Sequence, residues 1–216
     1  MIKIYGGDLS SPANKVRFTA NAIGIDYEYI QVKIREGEHR TPEFLAMNPV
    51  GKIPVLDDNG FIVFESGAIC KYLVIKHESS LYPQDLKQRT RVEQWTDFST
   101  LHINTAMSKV IFNRVFYQFA KVEKDERSLQ DGINFLKRFL PVVEGQLEEN
   151  TYLVNDQLSL ADLTLLSALD PAEIAEVDLS QYQNLTRWRA GLKQESFYTK
   201  CYASYGEPLK RILGKK

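Results

Sequence analysis

Cysteine is scarce in this chain of 216 residues, which contains only Cys70 and Cys201. The two lie far apart and form no Cys-x-x-Cys pair, which excludes a disulfide framework and a dithiol redox centre. The three histidines (His39, His77 and His102) lack the spacing of metal ligands, so we expect no metal site. The scarcity of cysteine is typical of a protein of a reducing compartment, and we predict a cytoplasmic location.

The chain also lacks an excess of charge of either sign and lacks long apolar runs. The 27 Lys and Arg residues balance 28 Asp and Glu residues, and the net charge of −1 argues against nucleic acid or an anionic membrane as the main partner. No apolar run reaches the length of a membrane span, and the N-terminus is typical of a short strand rather than a signal peptide. A hydrophobic fraction of 44% predicts a soluble globular protein with ample core.

The first 77 residues alternate between strand and helix signals. Strands are predicted over residues 2–5, 27–33, 53–56 and 61–64, and helices over residues 12–24, from Thr41 and from Glu65. Asp58-Asn59-Gly60 is a strong hairpin signal between the last two strands. The order βαβαββα predicts a compact α/β domain over residues 1–77.

The remainder of the chain has helical patterns. Residues 78–87 are polar, contain proline and lack periodicity, which is typical of a linker. Apolar residues recur at steps of three and four over residues 129–147, and Pro141 within this stripe predicts a kink. The pattern Ser159-Leu-Ala-Asp162 predicts a capping box at the start of a further helix. We therefore predict an all-helical domain over residues 88–216.

Two adjacent hydroxyl residues open the first helix, in the sequence Ser10-Ser11-Pro12. We expect Ser11 to be the N-cap and Pro12 to take the first helical position, which leaves Ser10 free to point at a ligand above the helix end. No histidine lies near Ser10 in sequence to act as a base, so its hydroxyl suits a hydrogen-bond donor to an anion rather than a nucleophile. Simple capping without a ligand is the alternative.

The segment from Asn48 to Ser66 predicts part of a site for a small acidic peptide. Pro54 lacks an N–H, so it indicates either an edge strand or an irregularity in the strand. The sequence alone allows the Ile53–Pro54 peptide bond to be either cis or trans. A cis bond would turn the N–H and C=O of Ile53 outward, where an extended ligand could pair with them. Glu65 and Ser66 open a helix whose free N–H groups suit a carboxylate, although an ordinary helix start is the alternative.

These motifs together resemble the glutathione S-transferase family over nearly the whole chain. The strongest similarity is Asn48-Pro-Val-Gly-Lys-Ile-Pro-Val-Leu and its continuation to Ser66. Three further motifs resemble the theta- and delta-type branches, which use serine: Ser10-Ser-Pro12, Gly37-Glu-His39 and Pro42-Glu-Phe-Leu45. The resemblance implies a thioredoxin-like N-terminal domain, an all-α C-terminal domain, a homodimer and a cis bond before Pro54.

The resemblance also implies which residues contact each part of glutathione. Ser10 would contact the thiol, and His39 and Lys52 would contact the glycyl end. Ile53, beside Pro54, would pair with the cysteinyl backbone, and Glu65 with Ser66 would contact the γ-glutamyl end. Glutathione would be a co-substrate, and no other cofactor is implied. The serine would favour the thiolate of bound glutathione by donating a hydrogen bond.

The second substrate would be a small hydrophobic electrophile, as in detoxification. Candidate walls of its pocket are Leu9, His102, Ala106 and Val110, with His102 expected to have no catalytic role. The electrophile, the subclass and the choice among conjugation, peroxide reduction, dehalogenation and isomerisation stay open. A non-catalytic glutathione-binding or scaffold protein of the same fold is the alternative, whereas a disulfide reductase would need a cysteine near position 10.

Overall fold

The computed structural model describes residues 1–212 and divides into two compact units. The second unit comprises Pro83–Gln194, and the first comprises Met1–Tyr82 together with the residues from Glu195 onward. Within the described residues, no helix is long and apolar enough to cross a membrane.

A four-stranded sheet in the order β2-β1-β3-β4 forms the centre of the first unit. Strand β1 is parallel to β2 and antiparallel to β3, and β3 and β4 form a hairpin. The elements up to the second unit are β1 (Ile2–Gly6), α1 (Ser11–Ala22), β2 (Tyr27–Gln31), α2 (Pro42–Met47), β3 (Val55–Asp58), β4 (Phe61–Phe64) and α3 (Ser66–Lys76). This order confirms the predicted βαβαββα, thioredoxin-like domain.

The hairpin between β3 and β4 has the geometry that its sequence predicts. Asp58 pairs with Phe61, so only Asn59 and Gly60 form the loop. Their φ angles are 53° and 95°, and a two-residue turn with positive φ at both positions matches the twist of the flanking strands. Asparagine and glycine adopt this conformation more readily than other residues, which explains why the turn forms here.

The second unit is helical throughout its regular structure. Its helices are α4 (Leu86–Phe98), α5 (Thr105–Ile111), α6 (Tyr117–Ala120), α7 (Glu126–Glu149), α8 (Leu160–Leu169) and α9 (Gln183–Leu192). Two π-helical segments, Ser99–Asn104 and Phe112–Phe116, join α4 to α5 and α5 to α6. Helix α7 continues through Pro141 without interruption, and a kink there stays a prediction.

The predicted capping box at α8 is present and extends into a larger network. The buried carboxylate of Asp162 accepts hydrogen bonds from Ser159 N (3.0 Å), Ser159 Oγ (2.8 Å), Leu153 N (2.9 Å) and Trp188 Nε1 (3.1 Å). Burial raises the pKa of Asp162, and these donors act in the opposite direction. Asn155 has a φ of 58°, a left-handed conformation that asparagine adopts more readily than most residues other than glycine.

The C-terminal segment contradicts one predicted boundary. Residues 88–216 were expected to form a single helical domain, but α10 (Ser196–Thr199) and α11 (Gly206–Ile212) belong to the first unit. The ring of Phe18 on α1 lies 5.3 Å from that of Tyr198 and 6.3 Å from that of Tyr202. Burial of these aromatic rings against α1 holds the segment in the first unit.

Candidate functional site

One end of the sheet brings three predicted site segments together. Tyr5, Val55 and Phe64 are aligned across β1, β3 and β4. The residues directly beyond them, including Pro54 and Glu65, therefore lie at the same end of the sheet.

Pro54 does not occupy a sheet edge. Strand β3 is central, because it pairs with β1 on one side and β4 on the other, and Pro54 lies just before its first residue. The irregularity is therefore the correct alternative. The proline lies where the pairing of β3 begins, so its missing N–H removes no hydrogen bond from the sheet. The Ile53–Pro54 bond is cis, as the resemblance implies.

Ser10, rather than Ser11, is the N-cap of α1, which corrects the sequence-based expectation. A turn closed by the hydrogen bond from Ser10 N to Gly7 O (2.9 Å) leaves Ser10 extended, with φ −99° and ψ 103°. Its Oγ accepts a hydrogen bond from Ala13 N (3.3 Å), and Ser11 becomes the first residue of the helix. Because the hydroxyl accepts this bond, its own proton remains available for donation to a ligand.

Ile53 lies beside the turn that carries Ser10. A Cβ atom added to Gly7 would be 3.2 Å from Cδ1 of Ile53, so the residue before the cis-proline packs on the start of that turn. Ile53 therefore lies beside Gly7, the residue whose carbonyl oxygen accepts the hydrogen bond from Ser10 N.

His39 and Lys52 are held close together by the loop that precedes Ile53. A Cβ atom added to Gly51 would be 3.2 Å from the carbonyl oxygen of His39. The side chain of Asn48 fixes this loop, since its Nδ2 donates to Lys52 O (2.6 Å) and its Oδ1 accepts from Val50 N (3.1 Å). This role of Asn48, which is 2% exposed, was not predicted, although asparagine before a turn is a signal for such bonds.

The imidazole of His39 is neutral near pH 7. Burial and the charge of Arg40 lower its pKa from the usual value. Its Nε2 accepts a hydrogen bond from Arg40 Nε (3.3 Å), which leaves the proton on Nδ1. Nδ1 is buried and has no hydrogen-bond partner among the described residues, so its N–H is unsatisfied.

Glu65 and Ser66 form an open helix start. Glu65 is the N-cap of α3, makes no capping hydrogen bond with its side chain and has a φ of 69°. A positive φ at a residue other than glycine, asparagine or aspartate is uncommon and is often found at ligand sites. The buried Lys15 on α1, which sequence reasoning missed, lies within electrostatic range of Glu65, and burial lowers the pKa of this lysine.

The candidate walls of the electrophile pocket separate into two groups. Ala106 and Val110 are fully buried, and a Cβ atom added to Gly132 would be 2.8 Å from Ala106 O and 2.9 Å from Val110 Cγ2. Both residues are buried where α5 packs near α7, and their role as walls of an electrophile pocket stays a prediction.

His102 is exposed, whereas Leu9 is half-buried in the first unit. The ring of His102 lies 4.6 Å from that of Phe139 and 5.2 Å from that of Phe98. His102 also lines a cavity of about 430 Å³ in the second unit, together with Gln94, Trp95, Asp97, Phe98, Leu101 and Val142. The largely apolar and aromatic lining would suit an apolar molecule.

Comparison with known proteins gives a consistent result for both units. The family model for the glutathione S-transferase N-terminal domain matches residues 1–74, and that for the C-terminal domain matches residues 101–194. Glutathione S-transferase 4 of Zea mays is 32% identical over 195 residues, which cover 88% of this chain and 87% of the relative.

Two solved structures extend this similarity. Glutathione S-transferase I from maize, in complex with an atrazine glutathione conjugate, is 28% identical with a TM-score of 0.86, covering 96% of this chain and 98% of that one. A delta-class glutathione transferase of Nilaparvata lugens is 30% identical with a TM-score of 0.84, covering 98% and 100%.

Proposed function

Because this chain belongs to the glutathione S-transferase family, we propose that it binds glutathione at the sheet end formed by Pro54 and Glu65 and activates its thiol for attack on a small, mostly apolar electrophile. The observation that carries this proposal is the hydroxyl of Ser10, which caps α1 and keeps a proton to donate. Glutathione is the co-substrate, and the mechanism needs no other cofactor.

Ser10 acts by stabilising the thiolate. Lowering a thiol pKa by about two units requires roughly 2.7 kcal/mol of preferential stabilisation. A hydroxyl donor to an anion contributes about 1.5–3 kcal/mol, and the N-terminus of α1 adds a favourable field. The thiol proton leaves to solvent, the sulfur forms a bond to the electrophilic carbon, and the leaving group departs with its electron pair.

The remaining residues hold the tripeptide in place. Lys52 and the neutral Nδ1–H of His39 would receive the glycyl carboxylate. The main chain of Ile53 would pair with the cysteinyl backbone. The carboxylate of Glu65 would bind the γ-glutamyl ammonium, while the free N–H groups at Ser66 would bind its carboxylate.

The serine-type branch is part of the proposal. The position of Ser10 at the helix start supports it, and the similar proteins include both plant enzymes and a delta-class enzyme. A scaffold protein of the same fold would not need a polarised hydroxyl, a neutral histidine donor and an open helix start on one surface. Leu9 and His102 remain proposed contacts of the electrophile.

Substitution of Ser10 tests the proposal. In Ser10→Ala, kcat for a chromogenic electrophile should fall about 10- to 100-fold, and the pKa of bound glutathione, followed by thiolate absorbance, should rise by about one to two units. The KM for glutathione should change little, and the lost cap should cost about 1 kcal/mol of stability.

Ser10→Thr and Ser11→Ala are the matched controls, because the first keeps a capping hydroxyl and the second keeps Ser10. Both should retain most of the activity. Equal loss of activity in Ser10→Ala and Ser11→Ala would contradict the assignment. Retention of the wild-type protein on immobilised glutathione without any conjugation would favour the scaffold function.

The protein is further proposed to be a cytoplasmic homodimer. The family resemblance supports the dimer, and the absence of a disulfide at Cys70 and Cys201 is consistent with a reducing compartment. Light scattering should give twice the 24.8 kDa of one chain, and a monomer at micromolar concentration would refute this state. Fractionation of cells should recover the protein with cytoplasmic markers.

A further inference from the structure

The turn that positions Ser10 has a hydrogen-bond partner at each of its carbonyl groups. Gly7 O accepts from Ser10 N (2.9 Å), and Asp8 O accepts from Asn14 Nδ2 (2.8 Å). Ser10 O accepts from Asn14 N (2.8 Å). These partners are local, but the carbonyl of Leu9 accepts a hydrogen bond from the hydroxyl of Tyr205, which is 196 positions away in the chain.

The position of the Tyr205 hydroxyl is fixed by buried packing. Tyr205 is 2% exposed, and its ring lies 6.4 Å from that of Tyr202 at an interplanar angle of 86°. Tyr202 in turn lies 5.3 Å from Tyr198, which is fully buried. Edge-to-face contacts of this kind restrict ring orientation, so the hydroxyl is presented to Leu9 by an ordered set of aromatic residues.

A second connection links the same turn to the C-terminal segment. Arg17 is 7% exposed, its Nη1 donates to Asp8 Oδ1 (3.0 Å), and its Nη2 donates to Cys201 O (3.3 Å). Its guanidinium also lies 4.2 Å from the centre of the Tyr29 ring. The turn is therefore joined to the C-terminal segment at both Asp8 and Leu9.

The hydrogen bond to Leu9 acts directly on Ser10 through peptide geometry. The carbonyl of Leu9 and the N–H of Ser10 belong to one planar peptide group. Tyr205 holds the oxygen of this group, and Gly7 O holds its N–H. The orientation of that plane sets the backbone of Ser10 and hence the direction of its Oγ.

We propose that Tyr205 is a positioning residue for the reaction, which aligns the Ser10 hydroxyl with the glutathione sulfur through the Leu9 carbonyl. This inference rests on the proposed role of Ser10. It assigns a function in thiol activation to the C-terminal segment, a part of the chain that contains none of the residues proposed to contact glutathione.

Tyr205→Phe tests the inference, because it removes one oxygen atom and keeps the ring. We expect kcat to fall about 3- to 10-fold, since small displacements of an aligned group reduce rate steeply. The pKa of bound glutathione should rise by about 0.5–1 unit, as thiolate stabilisation weakens. The KM for glutathione should stay within about twofold, because the hydrogen bond that is removed goes to the carbonyl of Leu9, which is not among the residues proposed to bind the tripeptide ends.

Tyr72→Phe is the matched control. The hydroxyl of Tyr72 donates to Asp58 Oδ2 (2.6 Å) in the same unit, and neither residue belongs to the Ser10 turn. This variant should leave kcat and the thiol pKa unchanged, whatever stability it loses. If both variants shift the thiol pKa equally, or if neither does, Tyr205 has only a structural role and the inference is wrong.

A double variant separates this inference from the proposed function. Adding Tyr205→Phe to Ser10→Ala should raise the thiol pKa no further than Ser10→Ala alone, because the hydroxyl to be aligned is gone. An additive effect would refute positioning through Ser10. If Ser10→Ala itself has no effect, the proposed function fails; if it has one and Tyr205→Phe does not, only the inference about Tyr205 fails.

Discussion

The proposed thiol activation depends on which of two adjacent serines caps α1. Both Ser10 and Ser11 are good N-cap residues, and Pro12 fits either assignment because proline is accepted in the first helical turn. The turn from Gly7 to Ser10 decides between them, since it leaves Ser10 extended with its Oγ facing Ala13 N. One hydroxyl therefore caps the helix and remains able to donate to a thiolate.

His39 should make stability depend on pH in a defined direction. Its pKa is lowered in the folded protein relative to the unfolded chain, mainly by burial. Between the two pKa values the unfolded chain binds more protons, so stability rises with pH. The contribution of neutral His39 is thus complete above about pH 6.5, the unfolded pKa, and is lost as pH falls through the folded pKa.

Urea unfolding at pH 7.5 and pH 5.0 measures this contribution. Wild type should lose more unfolding free energy between the two conditions than His39→Gln, which carries no titrating group at this position. An NMR titration should place the midpoint of His39 below that of an unperturbed histidine. Equal losses in the two proteins would show that His39 does not titrate differently on folding.

Local motifs were sufficient to propose residues that bind glutathione, but they did not predict the geometry of those residues. The site residues proposed for glutathione lie in the segment of residues 48–66, at Ser10 and at His39, because these motifs are local. The roles of Asn48 and Tyr205, and the proximity of Lys15 to Glu65, depend on contacts that no local pattern reveals. The burial of Ala106 and Val110 could not be predicted either, because a helix with several apolar faces does not show which face meets a neighbouring helix.

At the scale of the elements, the approach of α5 to α7 depends on Gly132. A methyl group at this position would lie 2.8 Å from the backbone oxygen of Ala106, which can move only with α5 itself. Gly132→Ala should therefore destabilise the protein by about 1–3 kcal/mol, the usual cost of overpacking. Thermal and urea unfolding would measure the loss.

Gly145, on the same helix, provides the control. No atom lies within 4 Å of the Cβ that would be added there, and the residue is exposed. Gly145→Ala should stabilise the protein by up to about 1 kcal/mol, because alanine has the higher helix propensity. The opposite signs of the two substitutions are the expected result, and stabilisation by both would show that α5 can move away from α7.

Elements with local signals were predictable, and elements defined by packing were not. The hairpin and the capping box follow from Asn59-Gly60 and from Ser159 with Asp162, where the residue types determine the backbone. The assignment of α10 to the first unit depends on aromatic contacts with Phe18, which is 179 or more positions away in the chain. Contacts between residues so far apart in the chain produce no periodic pattern in the sequence from which they could be predicted.

For the whole molecule, the first unit should require both ends of the chain. Phe18 is fully buried, and its neighbours Phe197, Tyr198 and Tyr202 all lie beyond residue 194. The three buried aromatic residues contribute about 1.5–3 kcal/mol each, so their combined loss is comparable to the stability of a typical domain. A chain ending at Gln194 should therefore lose glutathione binding and the dispersed NMR signals of β1–β4.

Complementation distinguishes this explanation from a general folding defect. A peptide of residues 195–216 added to the truncated chain should restore part of the binding, because it supplies the missing aromatic residues. Glutathione binding by the truncated chain at wild-type affinity would contradict the prediction.

The return of the C-terminal segment to the first unit also determines when that unit can form during synthesis. Domains usually fold from the N-terminus as they emerge, at roughly 5–20 residues per second. Here the residues up to Tyr82 must wait, on the order of ten seconds at that rate, until the segment from Glu195 is made. The contiguous helical unit, although second in sequence, is therefore expected to fold first on the ribosome, and the strands at the proposed glutathione site are expected to complete their folding only when translation ends.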